Sequence, residues 1–78
     1  MSIMIEIYYR KPEDMLREGR ISCLVATQSG QITYKETDSS DSICLTAEFD
    51  SWKNAETAAT SLRKSGEHVE GPTDYGDS

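Results

Sequence analysis

The segment FDSWKNAETAATSLRKSG, residues 49–66, is the most strongly patterned part of this chain. Its apolar side chains recur at the spacing of a single helix face, at Trp52, Ala55, Ala59 and Leu62. Asp50 or Ser51 can cap the start of a helix, and Gly66 is typical of the position just past its end. We therefore predict a helix over 51–65 that packs its small alanines closely against a sheet and closes the core, with Trp52 and Leu62 as anchors.

Four segments with strand patterns precede that helix, at 3–9, 20–27, 31–36 and 43–49. The first alternates apolar and other residues, and the second is almost continuously apolar, which predicts a central strand. The sequence QSG between the second and third strands indicates a tight hairpin in which Gly30 can adopt a positive φ. In the third strand, Ile32 and Tyr34 are expected to face the core.

The first two strands are joined by a segment that can form a short helix over 12–18. Pro12 suits its first turn, Gly19 can end it, and Met15 and Leu16 are its expected apolar contacts. An irregular loop is the alternative for this segment.

The predicted fold class is α+β. It comprises a small four-stranded, largely antiparallel sheet, packed on one face by the C-terminal helix, with a short helical turn after the first strand. A short fifth strand at 67–70 is possible. We assign residues 1–71 to a single domain and residues 72–78 to a disordered acidic tail, because the composition after Gly71-Pro72 is polar and acidic.

Charge is divided unevenly along the chain. Eight Lys and Arg stand against fourteen Asp and Glu, which gives a net charge of −6. Residues 1–35 carry net +1 and residues 36–78 carry net −7. Such a chain is a poor general partner for nucleic acid, because non-specific binding depends on Lys and Arg. The acidic C-terminal half suits a basic protein surface. The alternative is that the acids only keep a small domain in solution.

Patterns for catalysis, cofactors and metals are weak. The strand phases point Cys23 toward the core and Cys44 toward the opposite face, which disfavours a disulfide between them. His68 is the single histidine, and its spacing from the cysteines matches no standard zinc site. Neither glycine-rich phosphate loop is present. We therefore predict no enzyme and no catalytic, cofactor-binding or metal-binding residues.

The chain also lacks the patterns of export and membrane insertion. Glu6 interrupts the apolar residues near the start, and no basic segment precedes them. No run approaches the ~18 apolar residues of a membrane helix. We expect a cytoplasmic protein without membrane contact.

The segment 49–66 is similar to the strand-to-helix segment of peptidoglycan-binding SPOR domains. There too a Phe ends a strand, a small polar residue caps the helix, and Asn-Ala and Leu-Arg precede a Gly. The rest of the chain departs from that pattern, since four predicted strands precede the helix. We therefore carry no function over from this resemblance.

The leading hypothesis is a small, acidic, non-enzymatic protein-interaction module that modulates or inhibits a larger partner, or that self-associates. One helix can cover only one face of the predicted sheet, and the other face would carry Met4, Tyr8, Leu24, Ala26 and Cys44. This is a large apolar surface for a small monomer to expose, which favours dimerisation or binding to another protein through this face. The partner-binding residues we select are Met4, Tyr8 and Leu24 on this face, and the acids Glu67, Glu70 and Asp74. No small-molecule substrate is inferred.

The alternative is a binder of single-stranded nucleic acid. Sheet domains can stack bases on exposed aromatic rings, for which Tyr8 is the candidate. A basic edge between the first two predicted strands would hold the phosphates, with Arg10, Lys11, Arg17 and Arg20. The net charge of the chain opposes this hypothesis.

Overall fold

The computed structural model describes residues 2–38 and 40–74. Their elements, in chain order, are β1 (Ile3–Arg10), α1 (Met15–Thr27), β2 (Gln31–Thr37), β3 (Ser42–Phe49), α2 (Trp52–Lys64) and β4 (His68–Asp74). The strands form one open sheet in the order β2-β3-β1-β4, and all neighbours are antiparallel. Each helix links two strands that flank a third, which is the split β-α-β arrangement of ferredoxin-like folds. The predicted α+β class, with α2 packed on the sheet, is confirmed.

A single core lies between the sheet and the two helices. The strands supply most of it, through Ile3, Ile5, Ile7, Tyr9, Ile43, Leu45, Ala47, Phe49 and Val69. The helices supply Ile21, Val25, Ala55, Ala58, Ala59 and Leu62. The stripe predicted for α2 is therefore largely correct, and the exception is Trp52, whose 45% exposure rules it out as an anchor. Because both helices pack on one face, the opposite face of the sheet stays uncovered by the described residues.

Residues 20–27 form the second half of α1, so their prediction as a central strand is wrong. Asp14 caps this helix, and its side chain accepts a hydrogen bond from the Arg17 backbone N–H at 3.0 Å. The buried residues Ile21 and Val25 lie four residues apart. This spacing places two residues on one face of a helix, but also on one face of a strand, so the short apolar run fits both. Gly19 does not end the helix but lies on its exposed side.

Replacing Gly19 with alanine is expected to raise the free energy of unfolding by about 0.5–1 kcal/mol, because alanine restricts the unfolded chain and favours a helix interior. A Cβ at this position would meet no atom within 4 Å. Urea denaturation followed by circular dichroism measures the change. A loss of stability would contradict the assignment of Gly19 to an exposed helix interior.

The sequence predicted a hairpin between segments 20–27 and 31–36, and this prediction is wrong. The observed hairpin joins β2 to β3, which correspond to the third and fourth predicted strands. The segment QSG instead connects α1 to β2, and there Ser29 takes the positive φ of 62°. A bulge between Ile32 and Tyr34 reverses the facing of the residues around it. Ile32 packs against the core as predicted, whereas Tyr34 is 59% exposed on the opposite face, so its prediction as a core residue is wrong.

Polar contacts hold the first turns of α1 against the sheet. The Tyr9 hydroxyl donates a hydrogen bond to the Glu18 carboxylate and accepts one from the Asp14 backbone N–H at 3.0 Å. Burial raises the pKa of this hydroxyl, and its hydrogen bond to Glu18 raises the pKa further, so it stays a donor. The Arg17 guanidinium lies 5.1 Å from the centre of the Tyr9 ring and pairs with Glu67 at 2.9 Å.

Two apolar side chains in the first turn of α1 lie outside the core. Met15 is 72% exposed and Leu16 is 78% exposed. Their prediction as apolar contacts of a short helix over 12–18 is wrong, because the longer helix turns Ile21 and Val25 toward the sheet instead.

The C-terminal strand is longer than the possible strand predicted at 67–70. β4 continues to Asp74, and Thr73 and Asp74 pair with Met4 and Ile3 of β1. Residues 72–74, assigned to a tail from the sequence, therefore belong to the sheet. The remainder of that tail, residues 75–78, lies outside the described residues.

Candidate functional site

The uncovered face of the sheet is ordered in rows. Residues paired across neighbouring strands share a face, so the register defines rows that cross β2, β3, β1 and β4 in turn. The rows are Gln31–Glu48–Met4–Thr73, Tyr34–Thr46–Glu6–Glu70 and Glu36–Cys44–Tyr8–His68. We call these residues the open face.

The open face is acidic. Every strand contributes one carboxylate, namely Glu36 from β2, Glu48 from β3, Glu6 from β1 and Glu70 from β4. Glu6 and Glu70 are direct cross-strand partners, which is unfavourable for like charges. Within residues 2–38 and 40–74, no Lys or Arg forms an ion pair with these four, and Glu70 reaches only His68, at 3.2 Å. The face therefore carries an excess of negative charge at neutral pH.

Aromatic and apolar groups lie among these carboxylates. Tyr34 is largely exposed, while Met4, Tyr8 and Cys44 are half-buried. The rings of Tyr8 and His68 meet edge to face, with centres 5.7 Å apart. The Tyr8 hydroxyl donates a hydrogen bond to Glu6 at 3.3 Å. The open face thus combines apolar surface with negative charge.

Two depressions on the open face share Glu6. The acidic depression has a volume of about 250 Å³ and is lined by Glu6, Tyr8, Glu36, Asp38, Ser42 and Cys44. The second, which we call the apolar depression, is more open, has a volume of about 500 Å³ and is lined by Met4, Glu6, Thr33, Tyr34, Thr46 and Glu48. Among the described residues, no group of three or more potential ligands is arranged to hold a metal ion.

Two titratable groups of the open face, Cys44 and Tyr8, have raised pKa values. Burial raises the pKa of the Cys44 thiol, and the negative charge of Glu6 acts in the same direction. Burial likewise raises the pKa of the Tyr8 hydroxyl well above its usual range. His68 shares a row with Cys44, but Tyr8 lies between them, so their backbones are two strand spacings apart, about 10 Å. These pKa shifts favour the protonated form of the Cys44 thiol.

Of the partner-binding residues selected from the sequence, three lie together on the open face: Met4, Tyr8 and Glu70. Leu24 does not, because residues 20–27 form a helix, and its side chain is half-buried against the core from the other side. Ala26 lies on the same helix. Their assignment to the uncovered face is wrong.

The two remaining selected acids lie away from the open face. Glu67 precedes β4 and pairs with Arg17, with only 10% of its side chain exposed. Asp74 pairs in register with the core residue Ile3, which places it on the helix-facing side of β4. Cys23, predicted to face the core, is exposed on α1.

The sequence analysis did not select four residues that define the open face: Glu6, Tyr34, Glu36 and Glu48. Glu6 and Glu48 occupy outward positions of predicted strands and could have been found from the alternation. Tyr34 and Glu36 could not, because both follow the bulge that reverses the facing of β2, and that bulge left no signal in the alternation.

The basic edge proposed for nucleic acid is not assembled beside Tyr8. Arg10 is at the end of β1 and pairs with Ser42, so it extends the rows of the open face. Arg17 is engaged with Glu67 and Tyr9 on the helix side of the sheet, and Arg20 is exposed on α1.

Comparisons with protein-family models, with curated proteins and with solved structures gave no match for this chain. Neither helix in the described residues combines the length and apolar content needed to span a bilayer.

Proposed function

We propose that this chain is a non-enzymatic protein-interaction module that binds a larger partner, and modulates or inhibits it, through the open face. The observation that supports this most strongly is the contrast between the two sides of the sheet. Both helices cover one side, while the other presents Tyr34, Met4 and Tyr8 among four carboxylates. An exposed mixture of aromatic and acidic groups on a rigid sheet is suited to binding a protein surface.

The edges of the sheet are less suited to pairing with a partner strand. β2 carries a bulge, and its Lys35 points to the helix side, where it pairs with Glu13 and Glu18. β4 contains Pro72, which lacks a backbone N–H. Pro72 lies where the pairing of β4 with β1 shifts register, between the partners of Met4 and Glu6. Bulges, prolines and inward charges are devices that discourage edge-to-edge association. This favours the face over an edge as the binding surface.

Binding of single-stranded nucleic acid is less well supported. Tyr8 and Tyr34 could stack on bases, but the four glutamates around them would repel the phosphates. In the part of the chain that the structure describes, Arg10 is the one Lys or Arg whose position in the register extends the rows of the open face. A labelled oligonucleotide whose retention falls steeply with salt would favour this alternative over protein binding.

Tyr34→Ser is expected to weaken association with the partner about tenfold or more, because an exposed aromatic anchor is removed from the middle row of the open face. Capture from native lysate by the immobilised chain, quantified by mass spectrometry, measures the retained partner, and sedimentation velocity measures self-association. Trp52→Ser is the matched control, since Trp52 is similarly exposed but lies on α2.

Equal capture by the Tyr34→Ser and Trp52→Ser variants would contradict the proposal. Loss of the partner with Leu16→Ser instead would assign binding to the exposed first turn of α1. Circular dichroism of each variant verifies that the fold is unchanged.

A further inference from the structure

The acidic depression has the chemistry of a site for a cationic side chain. The carboxylates of Glu6 and Glu36 approach it from neighbouring rows, with the Tyr8 ring in the same wall. A guanidinium or ammonium group is attracted both by carboxylates and by an aromatic ring. A cation placed there would also reduce the repulsion between the cross-strand partners Glu6 and Glu70.

The apolar depression supplies a second contact at a defined distance. It lies beside Met4, Tyr34 and Thr46, toward the opposite end of β1 from the acidic depression. The lining residues of the two depressions are displaced from one another by two residues along β1 and by four along β3, which corresponds to roughly 7–13 Å. In a polyproline II segment, which has three residues per turn, side chains three residues apart lie on the same side and span about 9 Å.

We infer that the open face binds a basic segment of the partner protein in the polyproline II conformation, with a lysine or arginine side chain in the acidic depression and an apolar side chain three residues away beside Tyr34. This inference rests on the proposed function and adds the chemistry of the partner. The charge of the open face is complementary to such a segment, and the same charge excludes acidic ones.

The test uses a fluorescent peptide made of repeats of Arg-Ser-Ser-Leu, with a second peptide in which glutamate replaces each arginine. Fluorescence anisotropy at physiological salt measures binding to the whole chain. We expect the first peptide to bind and the second not to bind. The variant Glu6→Gln/Glu36→Gln should lower the affinity roughly three- to tenfold, as expected for two partly exposed ion pairs.

The control variant is Glu13→Gln/Glu56→Gln. It removes the same net charge from exposed positions before α1 and within α2, on the helix side of the sheet. Its affinity for the peptide should change less than about twofold, since distant exposed charges are largely screened.

Equal losses in the two double variants would overturn the inference, because binding would then follow net charge alone. Absence of peptide binding, together with partner capture that still depends on Tyr34, would overturn the inference and leave the proposed function intact. If capture is also independent of Tyr34, both fail. Tighter binding of a labelled single-stranded oligonucleotide than of the basic peptide would also contradict the inference.

Discussion

Leu62→Ala is expected to lower the free energy of unfolding by about 2–5 kcal/mol, the usual cost of truncating a fully buried leucine. Leu62 is 1% exposed, and its side chain is the part of α2 nearest its C-terminal end that belongs to the core between the helices and the sheet. A chain of 78 residues has a total stability of roughly 4–12 kcal/mol, so this loss would remove a substantial part of it. Urea denaturation followed by tryptophan fluorescence and circular dichroism measures the change.

Leu16→Ala is the matched control for this prediction. It makes the same chemical change at a leucine that is 78% exposed, and should change the stability by less than about 0.5 kcal/mol. Similar losses at the two positions would contradict the distinction between core and surface on which the fold description depends.

Gly30→Ala is expected to destabilise the chain by about 1–3 kcal/mol, because the added methyl group overpacks the core. A Cβ at this position would lie 2.4 Å from a ring carbon of Phe49, which is itself buried at the end of β3. The cost comes from this close approach, since Gly30 is not among the residues with positive φ. Thermal and urea denaturation measure the loss.

Gly19→Ala serves as the counterpart for Gly30→Ala, because the same substitution should stabilise α1. Opposite signs at the two glycines are the expected result. If Gly30→Ala were as stable as the parent chain, Phe49 would have to pack differently from the arrangement described.

The alternating strands were predictable because their pattern has one interpretation. In β1 and β3, apolar residues occupy every second position, and one face of each is buried as expected. Residues 20–27 were not predictable in the same way, because a run of eight mostly apolar residues fits a buried strand as well as a helix. The cap at Asp14 was the signal that favours the helix, since the spacing of Ile21 and Val25 fits either structure.

The candidate site was predictable only where it lies on a strand with clear alternation. Met4 and Tyr8 follow from the alternation in β1 alone, whereas Leu24 depended on the wrong assignment of residues 20–27. Tyr34 depended on a bulge in the pairing of β2 with β3, which the alternation of residues in β2 does not reveal. The acidic character of the open face emerges only from the register, which brings one glutamate from each strand onto the same side.

The central claim is that the open face is the binding surface, and a chemical-shift map of the isotopically labelled chain with the Arg-Ser-Ser-Leu peptide tests it most directly. We predict that the perturbed amides cluster at residues 4–8, 33–36 and 44–48, with little change in α2. Perturbations confined to α1 or α2, or spread evenly over the chain, would contradict the claim.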